Sequence, residues 1–219
     1  MSLDIKICGL KTAEALDAAL AGGASHVGFI FFPKSPRDIS PTEAGRLRQA
    51  ARGRAKAVAV TVDASDALLD QIVAAMSPDM LQLHGAESPE RVRELKARYG
   101  LPVMKALAIR EAADLDAIKP YLGVADRFLF DAKPPKGAKL PGGNGIAFDW
   151  TLLNGIDPGI DYMLSGGLNA ANIGEALRLA NPPGIDISSG VESAPGVKNA
   201  ALIDEFFRAI GAAKDGSAA

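Results

Sequence analysis

Short runs of β-branched and aromatic residues alternate along the chain with longer Ala-, Leu-, Glu- and Arg-rich segments whose apolar positions recur at helical spacing. The strand-like runs are Asp4–Cys8, His26–Phe32, Lys56–Val62, Met80–His84, Val103–Ala108, Arg127–Asp131, Tyr162–Ser165 and Gly184–Ile187. Their starts lie 22, 30, 24, 23, 24, 35 and 22 residues apart, about the length of one strand, one loop and one helix. A helical segment follows each run. Thr12–Ala21 carries Leu16 and Leu20; a second helix opens at Pro41-Thr42-Glu43 with Leu47 on its apolar face. Ser65–Met76 carries Leu68, Leu69, Ile72 and Val73, and Ser88-Pro89-Glu90 opens a helix that buries Val92 and Leu95. Ser or Thr followed by Pro or Glu marks such starts, because the side-chain oxygen accepts from a free N–H of the first turn. Glu111–Leu122, Asp149–Leu153, Ala171–Ala180 and Asn199–Gly211 complete the set, with Trp150 read as a packing residue.

Eight strand–helix units predict an α/β fold, a single (β/α)8 TIM barrel over residues 1–211, with 212–219 a frayed tail. An open doubly wound sheet would place a Gly-rich turn directly after its first strand. Here Cys8-Gly9-Leu10-Lys11 stands there, and the Gly pairs cluster late in the chain.

Composition narrows what such a barrel does. The 23 Gly and 14 Pro are about 17% of 219 residues, short of the roughly 25–30% of low-complexity chains. Lys plus Arg number 24 against 26 Asp plus Glu, and no run of five like charges occurs, which argues against a nucleic-acid surface. The longest apolar stretch, Val27–Phe32, is far short of the ~20 residues of a membrane span, and the N-terminus lacks a secretion-signal layout. A single cysteine, Cys8, excludes an internal disulfide and a thiolate-rich zinc site. These features predict a cytoplasmic protein with no membrane association. The pair His26 and His84 does not by itself make a metal site.

Candidate chemistry lies at the strand ends, where barrel sites are built. Alternation puts Lys6 and Cys8 on one face of the first strand, with the cation a layer below the sulfur, where it would lower the thiol pKa. The other reading of Cys8 is a small buried hydrophobe. Asp131 ends the sixth strand, as a turn residue or as an acid facing Cys8 across the mouth with a pKa raised by burial. Ser165-Gly166-Gly167 after the seventh strand and Ser188-Ser189-Gly190 after the eighth suit a phosphate held by backbone N–H groups. Lys34 and Arg37 follow the second strand; Arg37 is an exposed loop residue or a fork for a carboxylate. Gln82 and His84 share a face of the fourth strand, and the Gly- and Pro-rich loop 133–145 reads as a lid or a tolerated insertion.

Taken together, Lys6-Ile7-Cys8-Gly9, Phe32-Pro33-Lys34-Ser35-Pro36-Arg37, Leu81-Gln82-Leu83-His84-Gly85, Phe130-Asp131, Gly142-Gly143-Asn144-Gly145 with Phe148-Asp149-Trp150, Leu164-Ser165-Gly166-Gly167-Leu168 and Asp186-Ile187-Ser188-Ser189-Gly190-Val191-Glu192 resemble phosphoribosylanthranilate isomerase, in order and over nearly the whole chain. The resemblance implies an Amadori rearrangement of a small phosphorylated substrate in tryptophan biosynthesis, without cofactor or metal. It implies Cys8 as general base, Asp131 as general acid and Arg37 on the anthranilate carboxylate. It also implies Gly166, Gly167, Ser189 and Gly190 on the phosphate with Asp186 as a polar contact, and Lys6, Gln82 and His84 in support. Relatives commonly have Lys-Asp where this chain has Lys198-Asn199; Asn caps a helix about as well. The alternatives are another phosphosugar isomerase, against which Cys8 argues, and a catalytically silent phosphoribosyl-binding barrel. The oligomeric state is left open.

Overall fold

The apolar runs alternate because each strand is covered on both faces, one by the helix layer and one by the barrel interior. In the computed structural model, which describes residues 3–133, 142, 145 and 147–216, they form β1 (Asp4–Cys8), β2 (His26–Phe31), β3 (Lys56–Thr61), β4 (Met80–Leu83), β5 (Val103–Ile109), β6 (Arg127–Ala132), β7 (Tyr162–Leu164) and β8 (Gly184–Ile187). All eight start where the sequence pattern starts, and all pair in parallel. The ring closes between β1 and β8, with Asp4 opposite Gly184 and Lys6 opposite Asp186. The predicted barrel is therefore the observed one.

Outward-facing Ile5, Ile7, Val27, Phe29, Phe128 and Phe130 join the core beneath the helices. Inward-facing Cys8, Val58, Val60, Met80, Met104, Ala106, Leu129 and Met163 form a separate interior cluster. Around the barrel run α1 (Ala13–Gly22), α2 (Pro41–Ala51), α3 (Asp66–Met76), α4 (Pro89–Tyr99), α5 (Ile173–Ala180) and α6 (Ala200–Gly216). Thr12, Ser40, Ser65 and Ser88 cap the first four, each accepting from the N–H three residues on. Asn199 does the same for α6, accepting from Leu202 N at 3.1 Å.

Three segments differ from the sequence pattern. The expected fifth and sixth helices are 3₁₀ turns, Ala112–Tyr121 and Trp150–Gly155. Leu115, Ile118 and Tyr121 in the first, and Trp150 and Leu153 in the second with Ile156 just after it, meet the core at a spacing of three. That period stacks side chains on one edge of a 3₁₀ helix, and Pro120 removes a donor that an α-helix would use. The last helix runs on through 212–216, expected to fray, because Ala212 and Ala213 favour helix and Ala213 lies beside Gly174 of α5. Most of the suggested lid, 134–141 with 143 and 144, lies outside the described residues. A short hairpin follows β8: β9 (Glu192–Ala194) pairs antiparallel with β10 (Val197–Lys198).

At the N-terminal end of the barrel Arg127 pairs with Asp4 (2.8 Å) and Asp161 (2.9 Å). His26, 1% exposed, contacts Ser25 Oγ through Nδ1 at 2.8 Å, and its Nε2 has no partner among the described residues. Burial, together with the charges of Arg127 and Lys56, pushes its pKa down to about 4, against the pull of Asp4. The unfolded chain binds a proton on this residue below about 6.5, whereas the folded one does so only near 4. Stability is therefore expected to fall by on the order of 2–3 kcal/mol from this group as pH drops through that window. Urea unfolding at several pH values tests this: His26→Asn is expected to show a shallower loss between pH 6.5 and 4 than the parent, and an equal slope would overturn it.

Candidate active site

The C-terminal ends of the strands surround a cavity that opens to solvent. Cys8, Arg37, Gln82, His84, Asp131, Gly166, Gly167, Asp186 and Ser189 all line it. The remaining two predicted residues lie behind the wall. Lys6 is fully buried beneath Cys8, and Gly190 packs so closely on the β7 loop that a Cβ there would lie 1.9 Å from Leu168 O. Lys34, the second cation of its loop, is exposed, whereas Arg37 is buried.

Cys8 sits where β1 meets β2. A Cβ at Gly28 on the neighbouring strand would stand 2.9 Å from Cys8 Sγ and 3.0 Å from Lys6 Nζ, so glycine there leaves room for both groups side by side. Lys6 Nζ donates to Asp186 Oδ1 at 2.9 Å across the β1–β8 seam. The sequence predicts a thiol pKa lowered by Lys6; the structure corrects this. Burial raises the Cys8 thiol above its ordinary value, and the opposing pull of Lys6 does not overcome it, because Asp186 both occupies the ammonium and adds its own negative field. Lys6 stays above its ordinary value despite burial, held there by Asp186 and Cys8.

Asp131 projects inward from the end of β6, and its Oδ1 accepts from Ala132 N at 2.9 Å. His84 Nε2 lies 3.5 Å from Asp131 Oδ2, and Gln82 Nε2 lies 3.1 Å from His84 Nδ1. With the Gln82 amide donating, the imidazole carries its proton on Nε2 and turns an N–H toward Asp131. The loop bearing His84 is pinned from below: Lys105 Nζ donates to Leu83 O (3.2 Å), Gly85 O (2.7 Å) and Glu87 Oε2 (3.0 Å). Both carbonyls flanking His84 are thereby held.

The β7 loop turns through two successive left-handed residues, Gly166 (φ +90°) and Gly167 (φ +65°). A Cβ at Gly166 would meet Ala132 N at 2.6 Å, so both the backbone conformation and the space require glycine. Opposite it Ser188 opens a short 3₁₀ turn, Ser189–Val191, and donates through Oγ to Cys8 O at 3.1 Å. Two loops rich in backbone N–H groups thus converge on one side of the cavity.

Sequence reading missed two residues. Glu192, quoted in a motif without a role, receives Arg37 Nε at 2.7 Å and Nη2 at 2.9 Å. Lys198 donates to Glu192 Oε1 at 2.6 Å and to Ser188 O at 3.0 Å. Nothing local marks either residue as buried; only the fold of the β9–β10 hairpin brings them onto Arg37.

Residues 5–209 match the family model described as N-(5'phosphoribosyl)anthranilate (PRA) isomerase. A relative from Mesorhizobium japonicum named N-(5'-phosphoribosyl)anthranilate isomerase is 78% identical over 219 residues, all of both chains. The crystal structure of phosphoribosyl anthranilate isomerase from Thermotoga maritima is 31% identical with a TM-score of 0.86, covering 96% of this chain and 100% of that one. A structure of the same enzyme type in complex with reduced 1-(o-carboxyphenylamino)-1-deoxyribulose 5-phosphate is 30% identical with a TM-score of 0.82, with the same coverage.

The balance at Cys8 is open to measurement. Alkylation of the free protein by iodoacetamide is expected to titrate with a midpoint above 9.0, the ordinary value, because burial outweighs Lys6. A midpoint near 7 would reverse that ranking.

Proposed function

The chain belongs to the N-(5'-phosphoribosyl)anthranilate isomerase family, and on that premise we propose that Cys8 and Asp131 carry the two proton transfers of its reaction. The protein is an isomerase that converts N-(5'-phosphoribosyl)anthranilate into 1-(2-carboxyphenylamino)-1-deoxyribulose 5-phosphate, an aldose–ketose step of tryptophan biosynthesis. The observation that carries the assignment of residues is the shared cavity, with a thiol, a carboxyl and two N–H-rich loops on its walls.

Asp131 gives its proton to the furanose oxygen as the bond from that oxygen to C1′ breaks. The anilino nitrogen supplies the electron pair that forms the C1′=N iminium. The Cys8 thiolate then removes the C2′ proton; the C–H pair becomes a C1′=C2′ double bond and the iminium pair returns to nitrogen. The enaminol takes a proton at C1′ and releases its hydroxyl proton, leaving a ketone at C2′. C1′ is reduced as C2′ is oxidised, so the electrons balance within the substrate.

A thiol of raised pKa is a strong base once ionised, and Lys6 supplies the cation that offsets the thiolate. His84 and Gln82 orient Asp131 from the side. Gly166, Gly167 and Ser189 present backbone N–H groups to the phosphate, Gly190 allows the two loops to pack, and Asp186 works through Lys6. The guanidinium of Arg37 keeps its end-on edge, one hydrogen on each Nη, for the anthranilate carboxylate. A cytoplasmic location follows from the need to keep Cys8 reduced; among the described residues no helix is long and apolar enough to cross a membrane.

The purified protein is expected to discharge the fluorescence of its anthranilate-based substrate. Cys8→Ser and Asp131→Asn are each expected to lose about 10²–10⁴-fold in kcat. The residual kcat/KM of Asp131→Asn, which no longer depends on that acid, is expected to climb with pH beyond neutrality, because the active thiolate fraction grows toward the raised Cys8 pKa. Full activity in either variant would remove that residue from its role.

A further inference from the structure

Glu192 lies outside the residues that contact reacting atoms in the scheme above, yet it is 4% exposed at its side chain and receives four N–H donors. Two come from Arg37, one from Lys198 and one from Gly196 N at 3.2 Å. Burying three charged groups together is costly unless each is fully partnered, so the cluster has a defined geometry. Lys198 carries the connection onward, donating to Ser188 O (3.0 Å) and Ser188 Oγ (3.2 Å) in the loop that also holds Ser189.

We propose that Glu192 is a positioning residue that sets substrate specificity: its carboxylate grips the side edge of Arg37 so that the end-on edge faces the carboxylate of the substrate, and Lys198 keeps that fork cationic. The charge count gives Lys198 its part. Glu192 alone would neutralise Arg37; with Lys198 protonated, its pKa lowered by burial against the pull of Glu192, the trio carries one net positive charge. The same lysine ties the trio to the Ser188–Ser189 loop, so the two anionic ends of the substrate are gripped by one hairpin, β9–β10. The inference rests on the assignment of Arg37 to the anthranilate carboxylate.

The test compares two stable probes by calorimetry: reduced 1-(o-carboxyphenylamino)-1-deoxyribulose 5-phosphate, and the same compound with aniline in place of anthranilate. The parent is expected to prefer the carboxylated probe by about 10–100-fold, the worth of a charge-assisted pair. Arg37→Met is expected to abolish that preference. Glu192→Gln, although it adds a net positive charge to the trio, is expected to cut the ratio about threefold or more by releasing the fork; a generally loosened site would lower both affinities and keep the ratio. Lys198→Met, which leaves Glu192 to neutralise Arg37, is expected to reduce the ratio as well, and it carries the test should Glu192→Gln not fold. If the parent shows no preference, or Arg37→Met keeps it, the assignment of Arg37 fails. If Arg37→Met loses the preference but Glu192→Gln, or Lys198→Met in its place, retains the parent ratio, the positioning role fails and the assignment of Arg37 stands.

Discussion

Closure of the strand ring between β1 and β8 places Lys6 beside Asp186, 180 positions away in the chain, and the chemistry of the mouth depends on that one ion pair. An apolar barrel interior tolerates a lysine only with a partner, because the desolvation of a lone ammonium costs several kcal/mol. Asp186 meets that need at 2.9 Å, and the pair then forms the floor on which Cys8 rests. The partner that makes Lys6 tolerable also weakens its effect on the sulfur. Cys8 is accordingly held as a thiol in the free protein, with a cation beside it to offset the thiolate when the reaction requires one.

Most of the architecture was legible because it is local. Period-two alternation in β1 separates Ile5 and Ile7 from Lys6 and Cys8, and the same rule places Asp131 on the inner face of β6 with Leu129. Ser40, Ser65 and Ser88 announce their helices from the chain itself. The two 3₁₀ turns carry a signal of their own: Leu115, Ile118 and Tyr121, and Trp150, Leu153 and Ile156, recur at a spacing of three. What could not be read locally is whatever depends on closure. The direction of the Cys8 shift turns on Asp186, and the setting of Arg37 turns on Glu192 and Lys198, from a hairpin more than 150 positions away. Distant ion pairs leave no periodic trace, because a solvated carboxylate and a buried one look alike in a sequence.

Charge at the mouth decides how an anionic substrate is held. Lys6, Arg37 and Lys198 face Glu192, Asp186 and Asp131, three cations against three carboxyl groups among the described residues of the site. With Asp131 holding the proton it donates and the other two carboxylates ionised, the side chains sum to only one positive charge, in a chain of net charge −2. A phosphomonoester carries about −1.5 to −2 at neutral pH and the anthranilate carboxylate one more, so long-range attraction does not account for binding. The work falls to short-range, directional donors: the N–H groups of the Gly166–Gly167 and Ser188–Ser189 loops and the end-on edge of Arg37. Such donors act only when the anion is seated at hydrogen-bond distance. A ligand that places its phosphate on those loops but lacks a carboxylate at the span to Arg37 leaves that edge unmet, and a small anion collects one end of the site alone. Discrimination thus comes from the distance between two anionic groups, which the strand ring holds constant, rather than from the amount of charge they bring.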